Sequence, residues 1–178
     1  ARAGTPVGIL MRRWAFAMHG IEIPHYAVSI VRDRGIDSVA LRYLADHHDS
    51  RSVVFVDGWT GKGAIARELT AALRDFPDAE FDDDLAVLAD PGHCARTYGT
   101  RDDFLIASAC LNSTVSGLIS RTVLNDTLIG PGEFHGAKFY ADLASVDVSN
   151  LLLDSVSDRF ADVADAVATG LSSVRSAD

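Results

Sequence analysis

Apolar and polar positions follow two different periods along the chain. Apolar residues recur every three to four positions in several segments, and this spacing predicts amphipathic helices. The predicted helices cover residues 7–19, 38–48, 64–73, 111–124, 139–144 and 150–169. Short apolar runs predict strands at residues 26–31, 52–56, 85–89 and 104–107. The continuous run at residues 52–56 is typical of a strand buried on both faces of a parallel sheet.

Helices and strands alternate in this prediction, which indicates a three-layer α/β domain with a mostly parallel sheet. The 178 residues suffice for one domain with its own core. The chain opens on Ala-Arg-Ala-Gly-Thr-Pro without an initiator methionine, so we expect that a further N-terminal strand is missing from it. In such sheets, ligands bind at the carboxyl ends of the strands. Residues 32–36, 57–63 and 90–94 should therefore meet at one edge, together with the opening loop.

The composition and net charge of the chain argue against several classes of protein. Hydrophobic residues make up 48% and charged residues 23%, and there is no apolar run long enough to span a membrane. The net charge of −9 argues against direct nucleic-acid binding. Cys94 and Cys110 match no zinc motif or disulfide framework, which favours the reducing cytoplasm. The apolar stripe of residues 150–169 is either core or an oligomer face, so a homodimer is possible.

The segment after the apolar run at residues 52–56 has the composition of a phosphate-binding loop. Its glycines allow backbone N–H groups to approach a ligand closely, and the helix that follows directs its positive dipole end to the same place. Thr60 adds a hydroxyl and Lys62 a positive charge. The predicted binding residues are Gly58, Trp59, Thr60, Gly61, Lys62 and Gly63. The plain alternative is a tight strand-to-helix turn that needs glycines only for its geometry.

Asp57 should end the strand at the carboxyl edge. A carboxylate there can accept hydrogen bonds from ribose hydroxyls or hold Mg²⁺. Two common nucleotide motifs are excluded. A Walker loop requires four residues between its glycines and a Ser or Thr after the lysine, whereas Gly63 follows Lys62 here. The dinucleotide pattern Gly-x-Gly-x-x-Gly is also absent.

Four hydrophobic residues, an acid and a Thr/Gly-rich loop that opens a helix resemble the ribose-5-phosphate loop of type I phosphoribosyltransferases. Further stretches at residues 1–8, 25–37, 56–63 and 109–118 resemble a bacterial phosphoribosyltransferase-like family of tellurite-resistance and stress gene clusters. Some of its members are labelled cysteine protease StiP. The chain departs from the transferase loop because it has a single acid where paired acids are usual, and because the loop is about one residue short.

The resemblance implies a set of roles. Asp57 would hold the ribose hydroxyls and Mg²⁺, and residues 58–63 would hold the 5-phosphate. Residues 1–4, with Arg2, Ala3 and Gly4, would form the pyrophosphate loop, and Arg32, Asp33 and Arg34 would lie on a flexible loop over the site. The expected activity is transfer of the phosphoribosyl group of 5-phosphoribosyl 1-diphosphate to an unknown acceptor.

Other residues are candidates on their chemistry alone. Arg32 and Arg34 follow a strand and suit a diphosphate, although a solvated turn is the plain alternative. His93 follows the strand at residues 85–89 and could line the acceptor pocket. Asn112 and Ser113 precede an apolar run and form either a polar pocket wall or an ordinary helix cap.

Two further functions stay open at this point. A cysteine protease or other hydrolase could use Cys110 or Cys94 with His93 or His135. His93 and Cys94 are a poor pair in themselves, because adjacent side chains point apart in an extended segment. Alternatively, the single acid at the loop is compatible with a non-catalytic sensor of a ribose phosphate.

Overall fold

The computed structural model of the chain describes residues 3–104 and 113–175, with side chains described through residue 170. Its α-helices are α1 (Gly4–His19), α2 (Ser38–His47), α3 (Ala64–Arg74), α4 (Ser149–Ser157) and α5 (Phe160–Arg175). Its strands are β1 (Ile30–Val31), β2 (Gly35–Ile36), β3 (Phe55–Trp59), β4 (Leu85–Ala89), β5 (Tyr98–Thr100), β6 (Ile119–Val123) and β7 (Gly136–Phe139). Short 3-10 helices lie at Ser50–Ser52 and Ala141–Val146.

The main sheet is parallel and has the strand order β3-β4-β5. Phe55 pairs with Leu85 and Trp59 with Ala89, so β3 and β4 run in register from end to end. The other described strands form two antiparallel pairs, β1 with β2 and β6 with β7. The α/β class is therefore confirmed, but the parallel part is smaller than the sequence predicted.

Local signals explain where the helices begin and end. The carboxylate of Asp37 accepts hydrogen bonds from the backbone N–H groups of Val39 and Ala40, both at 3.0 Å, so it caps α2. Helix α1 ends at His19 and is followed by Gly20, whose φ of 67° is the left-handed conformation that glycine adopts without strain. The predictions for these helices are confirmed, although α1 begins three residues earlier than expected.

The core lies between α3 and the parallel sheet. Leu69 of α3 contacts Leu85 and Val87 of β4, and all three are buried. Partly buried side chains from the hairpin β1–β2, β3, α3 and the turn after β4 pack around them: Ile30, Ile36, Phe55, Ile65, Ala66, Leu73 and Ala95. Helix α1 joins the C-terminal helices through an ion pair of 2.8 Å between Arg13 and Asp154 and an edge-to-face contact of Trp14 with Phe160.

Several predicted elements are wrong in the second half of the chain. Residues 113–117 form turns and residues 119–123 form β6 instead of a helix, because Gly117 and Leu118 have positive φ values of 91° and 57° that interrupt a helix. The predicted helix at residues 139–144 is the end of β7 followed by a 3-10 helix. The predicted helix at 150–169 is divided into α4 and α5. Strand β5 was not predicted, and Phe104 lies outside any strand, while residues 105–107 lie outside the described residues.

Within the described residues, none of the helices is both long enough and apolar enough to cross a membrane.

The core model predicts that Leu69→Ala lowers the free energy of unfolding by about 2–5 kcal/mol, because it leaves a cavity between α3 and β4. Leu69 is only 2% exposed, whereas Leu128 is 69% exposed, so Leu128→Ala is the matched control and should change stability by less than about 0.5 kcal/mol. Urea unfolding measures both. Equal effects of the two substitutions would contradict this position of the core.

Candidate functional site

The loop between β3 and α3, residues 60–63, uses its own polar groups to hold its shape. The Thr60 N–H donates to the Ala89 carbonyl at 3.0 Å, and the Gly63 N–H donates to the Thr60 hydroxyl at 3.2 Å. Thr60 is buried, and Lys62 is exposed with its carbonyl accepting a hydrogen bond from Arg67. Two of the groups predicted to bind a phosphate are therefore engaged inside the protein.

Asp57 does not end β3 as predicted. The strand continues to Trp59, so Asp57 lies in mid-strand opposite Val87. Its carboxylate accepts a hydrogen bond of 2.8 Å from the Gly58 N–H. The Trp59 ring lies over Gly61, and its Nε1–H donates to Asp103 at 3.0 Å. Asp57 therefore lies two residues before the carboxyl end of β3.

The turn after β4, residues 90–95, is organised around the carboxylate of Asp90, which is completely buried. One carboxylate oxygen accepts from the Cys94 N–H at 2.9 Å, and the other accepts from the Ala95 N–H at 2.8 Å. Arg101, just after β5, forms an ion pair with the same carboxylate and stacks over the Tyr98 ring. The turn is therefore fixed by charge-assisted hydrogen bonds.

The environment of Asp90 favours its charged form. Burial is the largest single effect and raises the pKa of this carboxyl, but the hydrogen bonds from Cys94 and Ala95 and the charges of Arg101 and His93 together hold the pKa below its usual value. Asp90 is thus a buried anion whose hydrogen-bonding capacity is satisfied. The Arg101 guanidinium and the two backbone N–H donors offset the free-energy cost of burying this charge.

Cys94 is the thiol that this turn presents, and its side chain is exposed. Its Sγ lies 3.3 Å from the Gly92 carbonyl oxygen and 3.9 Å from that of Gly61. Among the described residues, these two carbonyls are the hydrogen-bond partners of the thiol, and neither belongs to a histidine. The thiol therefore lies between two loops at the carboxyl edge of the parallel sheet.

The two loops approach each other at glycines because larger residues would collide. A Cβ on Gly92 would lie 1.9 Å from the Gly61 carbonyl oxygen and 3.2 Å from the Cys94 Sγ. Gly63 precedes α3 with a φ of 64°, and a Cβ there would lie 3.2 Å from both Cys94 Cβ and Arg67 Nη1. The Cys94 thiol and the Arg67 guanidinium therefore both lie close to Gly63, at the first turn of α3.

An open cavity of about 570 Å³ lies beside the thiol. One wall is the face of α3 that carries Arg67, Thr70 and Arg74, and Cys94 lies at its end. Arg67 and Arg74 are both exposed. The cavity gives a substrate access to the thiol on the side where two guanidinium groups and a helix N-terminus lie.

The predicted diphosphate residues lie on the hairpin between β1 and β2. Arg32 and Arg34 are exposed, and Asp33 occupies the turn with a φ of 62°. The carboxylate of Glu68 on α3 accepts the Asp33 N–H at 3.1 Å and the Gly35 N–H at 3.0 Å. The hairpin is therefore attached to the side of α3, and the described contacts do not link Arg32 or Arg34 to the turn at residues 90–95.

The opening segment is helical rather than a pyrophosphate loop. Ala3 occupies the position before α1 with helical dihedral angles, and Gly4 is the first helical residue. A Cβ on Gly4 would lie 2.1 Å from the Val56 carbonyl oxygen, so α1 begins in close contact with β3 near Asp57. Arg2 lies outside the described residues.

The remaining predicted residues are dispersed. Asn112 and Cys110 lie outside the described residues. The Ser113 carbonyl accepts a hydrogen bond of 2.7 Å from the Leu118 N–H, which is a turn contact. His93 is exposed and has a positive φ of 53°. His135 is hydrogen-bonded to Asp37 through its N–H and to Ser29 through Nδ1, so it belongs to a structural network at the start of α2.

A second cavity, of about 460 Å³, runs along β3 and was not predicted. Its wall includes His25, which is half-buried against Gly8 of α1. Burial, and second the charge of Arg12, lower the pKa of His25 below its ordinary value of 6.5. Nothing in the local sequence around His25 indicated that its pKa is lowered. The burial of its ring depends on how α1 packs against the segment that follows this helix.

The lowered pKa of His25 predicts a pH dependence of stability. The unfolded chain takes up a proton near pH 6.5 and the folded chain only at lower pH, so this group destabilises the fold as the pH falls below 6.5. His25→Gln should flatten the dependence of the urea midpoint between pH 7 and 5. Arg12→Gln should flatten it partly, because Arg12 is the smaller cause. A slope unchanged in both variants would contradict the burial of this imidazole.

The sequence revealed only some of the residues that position the Cys94 thiol. Residues 90–94 were expected at this edge of the sheet, but Arg101 and Arg67 belong to no recognisable motif, because they reach the site from the segment after β5 and from α3. The contact between the loops at Gly61 and Gly92 likewise requires the folded sheet.

Fold and site together define a mixed α/β protein with an exposed thiol at the carboxyl edge of a parallel sheet. Residues 1–157 match the family described as tellurite-like stress resistance cysteine protease StiP. The chain is also 39% identical over 166 residues to "Cysteine protease StiP" of Acinetobacter baylyi (strain ATCC 33305 / BD413 / ADP1). The chain belongs to this StiP family. No solved structure matches it.

The alignment with the Acinetobacter protein covers 87% of this chain but 43% of that relative. The chain therefore spans less than half the length of the curated relative it matches. The resemblance to the stress-resistance family labelled StiP is confirmed, whereas the matches do not show a phosphoribosyltransferase relationship.

The prediction of phosphoribosyl transfer is wrong, because the family and the relative are both named as cysteine protease. The physical reason is that a strand, a glycine-rich loop and a helix start also serve to bring two loops together around a thiol. The comparisons support the cysteine alternative and give no support to the ribose-phosphate sensor. The described residues contain no group of three or more His, Cys, Asp or Glu side chains suited to a metal ion, and the Mg²⁺ site stays a prediction.

Proposed function

We propose that the chain carries the nucleophile of a thiol-dependent peptidase and that Cys94 is this nucleophile. The observation that carries the proposal is the position of the thiol, exposed beside the first turn of α3 and bordered by an open cavity. Membership of a family named for a cysteine protease supports the reaction class. Cys110 is the alternative nucleophile and lies outside the described residues.

The surroundings of Cys94 suit a nucleophilic sulfur. Thiolates are the reactive form, and they are stabilised by helix N-termini and neighbouring cations. Helix α3 begins at Ala64, next to Gly63, where an added Cβ would lie 3.5 Å from the Cys94 Sγ and 3.2 Å from the Arg67 Nη1. The negative charge of a thiolate would therefore face the positive end of α3.

The first turn of α3 also supplies donors for the oxyanion. The first N–H groups of a helix have no partner within the helix, so they are suited to bind a developing negative oxygen. In the proposed first step, the sulfur attacks the peptide carbonyl carbon, a C–S bond forms, and the electron pair of the C=O bond moves to oxygen. The oxyanion then collapses, the C–N bond breaks, and the amine leaves with a proton.

Water completes the reaction by attacking the thioester. The C–S bond breaks, the carboxylic acid leaves, and the thiol regains its proton. Both steps need a group that takes and returns protons. His93 is the candidate because it directly precedes Cys94 in the same turn. Its ring is exposed, so it is free to reorient when a substrate binds.

The peptidase proposal predicts that Cys94→Ala lowers hydrolysis of fluorescently labelled casein by about 10³-fold or more, the usual effect of removing a nucleophile. Cys110→Ala is the matched control and should retain activity. In parallel, iodoacetamide at pH 6 should label Cys94 faster than it labels glutathione, because a helix N-terminus and a neighbouring cation favour the reactive form of a thiol.

Two results would overturn this proposal. Loss of hydrolysis in Cys110→Ala with retention in Cys94→Ala would assign the nucleophile to Cys110. Absence of any thiol-dependent hydrolysis, together with no labelling of either cysteine at pH 6, would remove cysteine peptidase activity from this chain.

Finer predictions from the sequence belong to the same proposal. A reducing cytoplasm suits a catalytic thiol and agrees with two cysteines that match no disulfide framework. The parallel β3-β4-β5 sheet with α3 on its face is compatible with a type I phosphoribosyltransferase-like fold, which a solved structure would test. A single domain and a homodimer likewise remain predictions.

A further inference from the structure

The charged side chains that line the cavity of about 570 Å³ beside Cys94 are all positive. They are Arg67 and Arg74, and the described part of the wall contains no carboxylate. Thr70 and small residues of α3 and its N-cap form the rest of that wall. A molecule that reaches the thiol through this cavity therefore meets two guanidinium groups.

The spacing of these residues directs them to the cavity together. Positions 67, 70 and 74 are separated by three and four residues, so they share one face of α3. Leu69 lies on another face of the helix and is buried against β4. Because the apolar face fixes the rotation of α3 on the sheet, it also fixes the side on which the arginines stand.

The guanidinium groups of the cavity are not neutralised by the described residues. No ion pair joins Arg67 or Arg74 to an acidic side chain in that part of the chain. Arg67 donates one hydrogen bond of 2.7 Å through Nη1 to the carbonyl of Lys62, which is a neutral acceptor. Both arginines are exposed, so their positive charges are available to a ligand.

Two carboxylates that contact α3 are directed away from this cavity. Glu68 accepts two backbone N–H groups of the β1–β2 hairpin. Asp83 accepts the Thr70 hydroxyl at 2.8 Å and pairs with Arg96 at 3.1 Å. Neither carboxylate lines the cavity.

We propose that this cavity selects peptide substrates that carry an acidic side chain, and that Arg74 is the specificity-determining residue. The inference rests on the proposed peptidase function of Cys94. A guanidinium group binds a carboxylate through two parallel hydrogen bonds, which makes arginine well suited to this recognition. Arg67 lies close to the thiol, whereas Arg74 lies at the other end of α3.

The length of α3 predicts where the acidic side chain lies in the substrate. Arg74 follows Arg67 by seven residues, which corresponds to about 10 Å along the helix. An extended peptide advances about 3.3 Å per residue. The acidic side chain should therefore lie about three residues from the bond that Cys94 attacks.

The net charge of −9 does not prevent this recognition. At an ionic strength of about 0.1 M, charges further apart than about 10 Å are largely screened, so the arginines in contact with the substrate dominate. An exposed ion pair changes an equilibrium constant by up to about fivefold. The expected preference is therefore moderate and should decrease as salt is added.

The first test determines cleavage sites in a proteome-derived peptide library by mass spectrometry. With the parent chain, Asp and Glu should be enriched about threefold at a position about three residues from the cleaved bond. Arg74→Gln should remove this enrichment, Arg74→Lys should retain part of it, and Arg74→Glu should replace it with enrichment of Lys and Arg. The inversion separates recognition from a structural role of Arg74 at the end of α3, which would not change the preferred charge.

Arg121→Gln is the matched control. Arg121 is an exposed arginine on β6, which belongs to a different sheet, and its removal changes the net charge equally. This variant should keep the preference of the parent chain. Circular dichroism checks that each variant is folded.

The second test does not require hydrolysis. In the Cys110→Ala chain, the rate at which Cys94 reacts with the anionic disulfide 5,5′-dithiobis(2-nitrobenzoate) is divided by its rate with neutral 4,4′-dithiodipyridine. Arg74→Gln should lower this ratio about twofold, because it removes one positive charge from the route to the thiol, and added salt should lower it in the parent. Arg121→Gln should leave the ratio unchanged.

Cleavage that depends on Cys94 but shows no acidic preference would overturn the inference and leave the peptidase proposal standing. Equal ratios in Arg74→Gln and Arg121→Gln would also overturn it, as would equal loss of the acidic preference in both variants. A ratio that falls only in Arg74→Gln, without any thiol-dependent cleavage, would remove the peptidase function and support the selection of anions by this cavity.

Discussion

Asp90, whose carboxylate is buried, joins the turn after β4 to the end of β5, and the candidate site depends on it. Its backbone N–H donates to the Thr100 carbonyl of β5 at 2.9 Å, and its side chain pairs with Arg101. On the other side, the carbonyl of Ala89 accepts the Thr60 N–H that follows β3. A buried charge is tolerated only with such partners, so the turn after β4 and the end of β5 must keep their relative positions.

This constraint sets the position of the thiol. With the strand ends fixed, the loops after β3 and β4 meet at Gly61 and Gly92, where no Cβ would fit. Asp90 also binds the Cys94 N–H, so the cysteine backbone is held while its side chain is exposed beside α3. The position of the thiol is therefore a consequence of the three-stranded arrangement.

The sequence predicted the parts of the fold that depend on local chemistry. The start of α2 at Ser38 and the apolar run of β4 depend on local sequence, and both were predicted correctly. Strand β5 has only three residues, and β6 follows an unusual positive φ at Leu118, so neither had a readable local pattern. These strands form only because partners elsewhere in the chain accept their hydrogen bonds.

The sequence predicted the location of the candidate site better than it predicted the chemistry of that site. Residues 57–63 and 90–94 do meet, as expected from a parallel sheet. However, a glycine-rich loop after a strand is compatible with an anion or with close packing against another loop. The buried hydroxyl of Thr60 and the N–H of Gly63 are used for packing, and this distinction requires tertiary contacts that the sequence does not display.

The central claim, that the fold presents Cys94 as a nucleophile, is tested most directly by mass spectrometry after reaction with peptidyl acyloxymethyl ketones. These reagents alkylate a thiol that attacks a bound peptide-like carbonyl group. The account predicts stoichiometric modification of Cys94, at a rate that saturates with reagent concentration and in parallel with loss of casein hydrolysis. Modification of Cys110 instead, or a rate no faster than that of the unfolded chain, would contradict it.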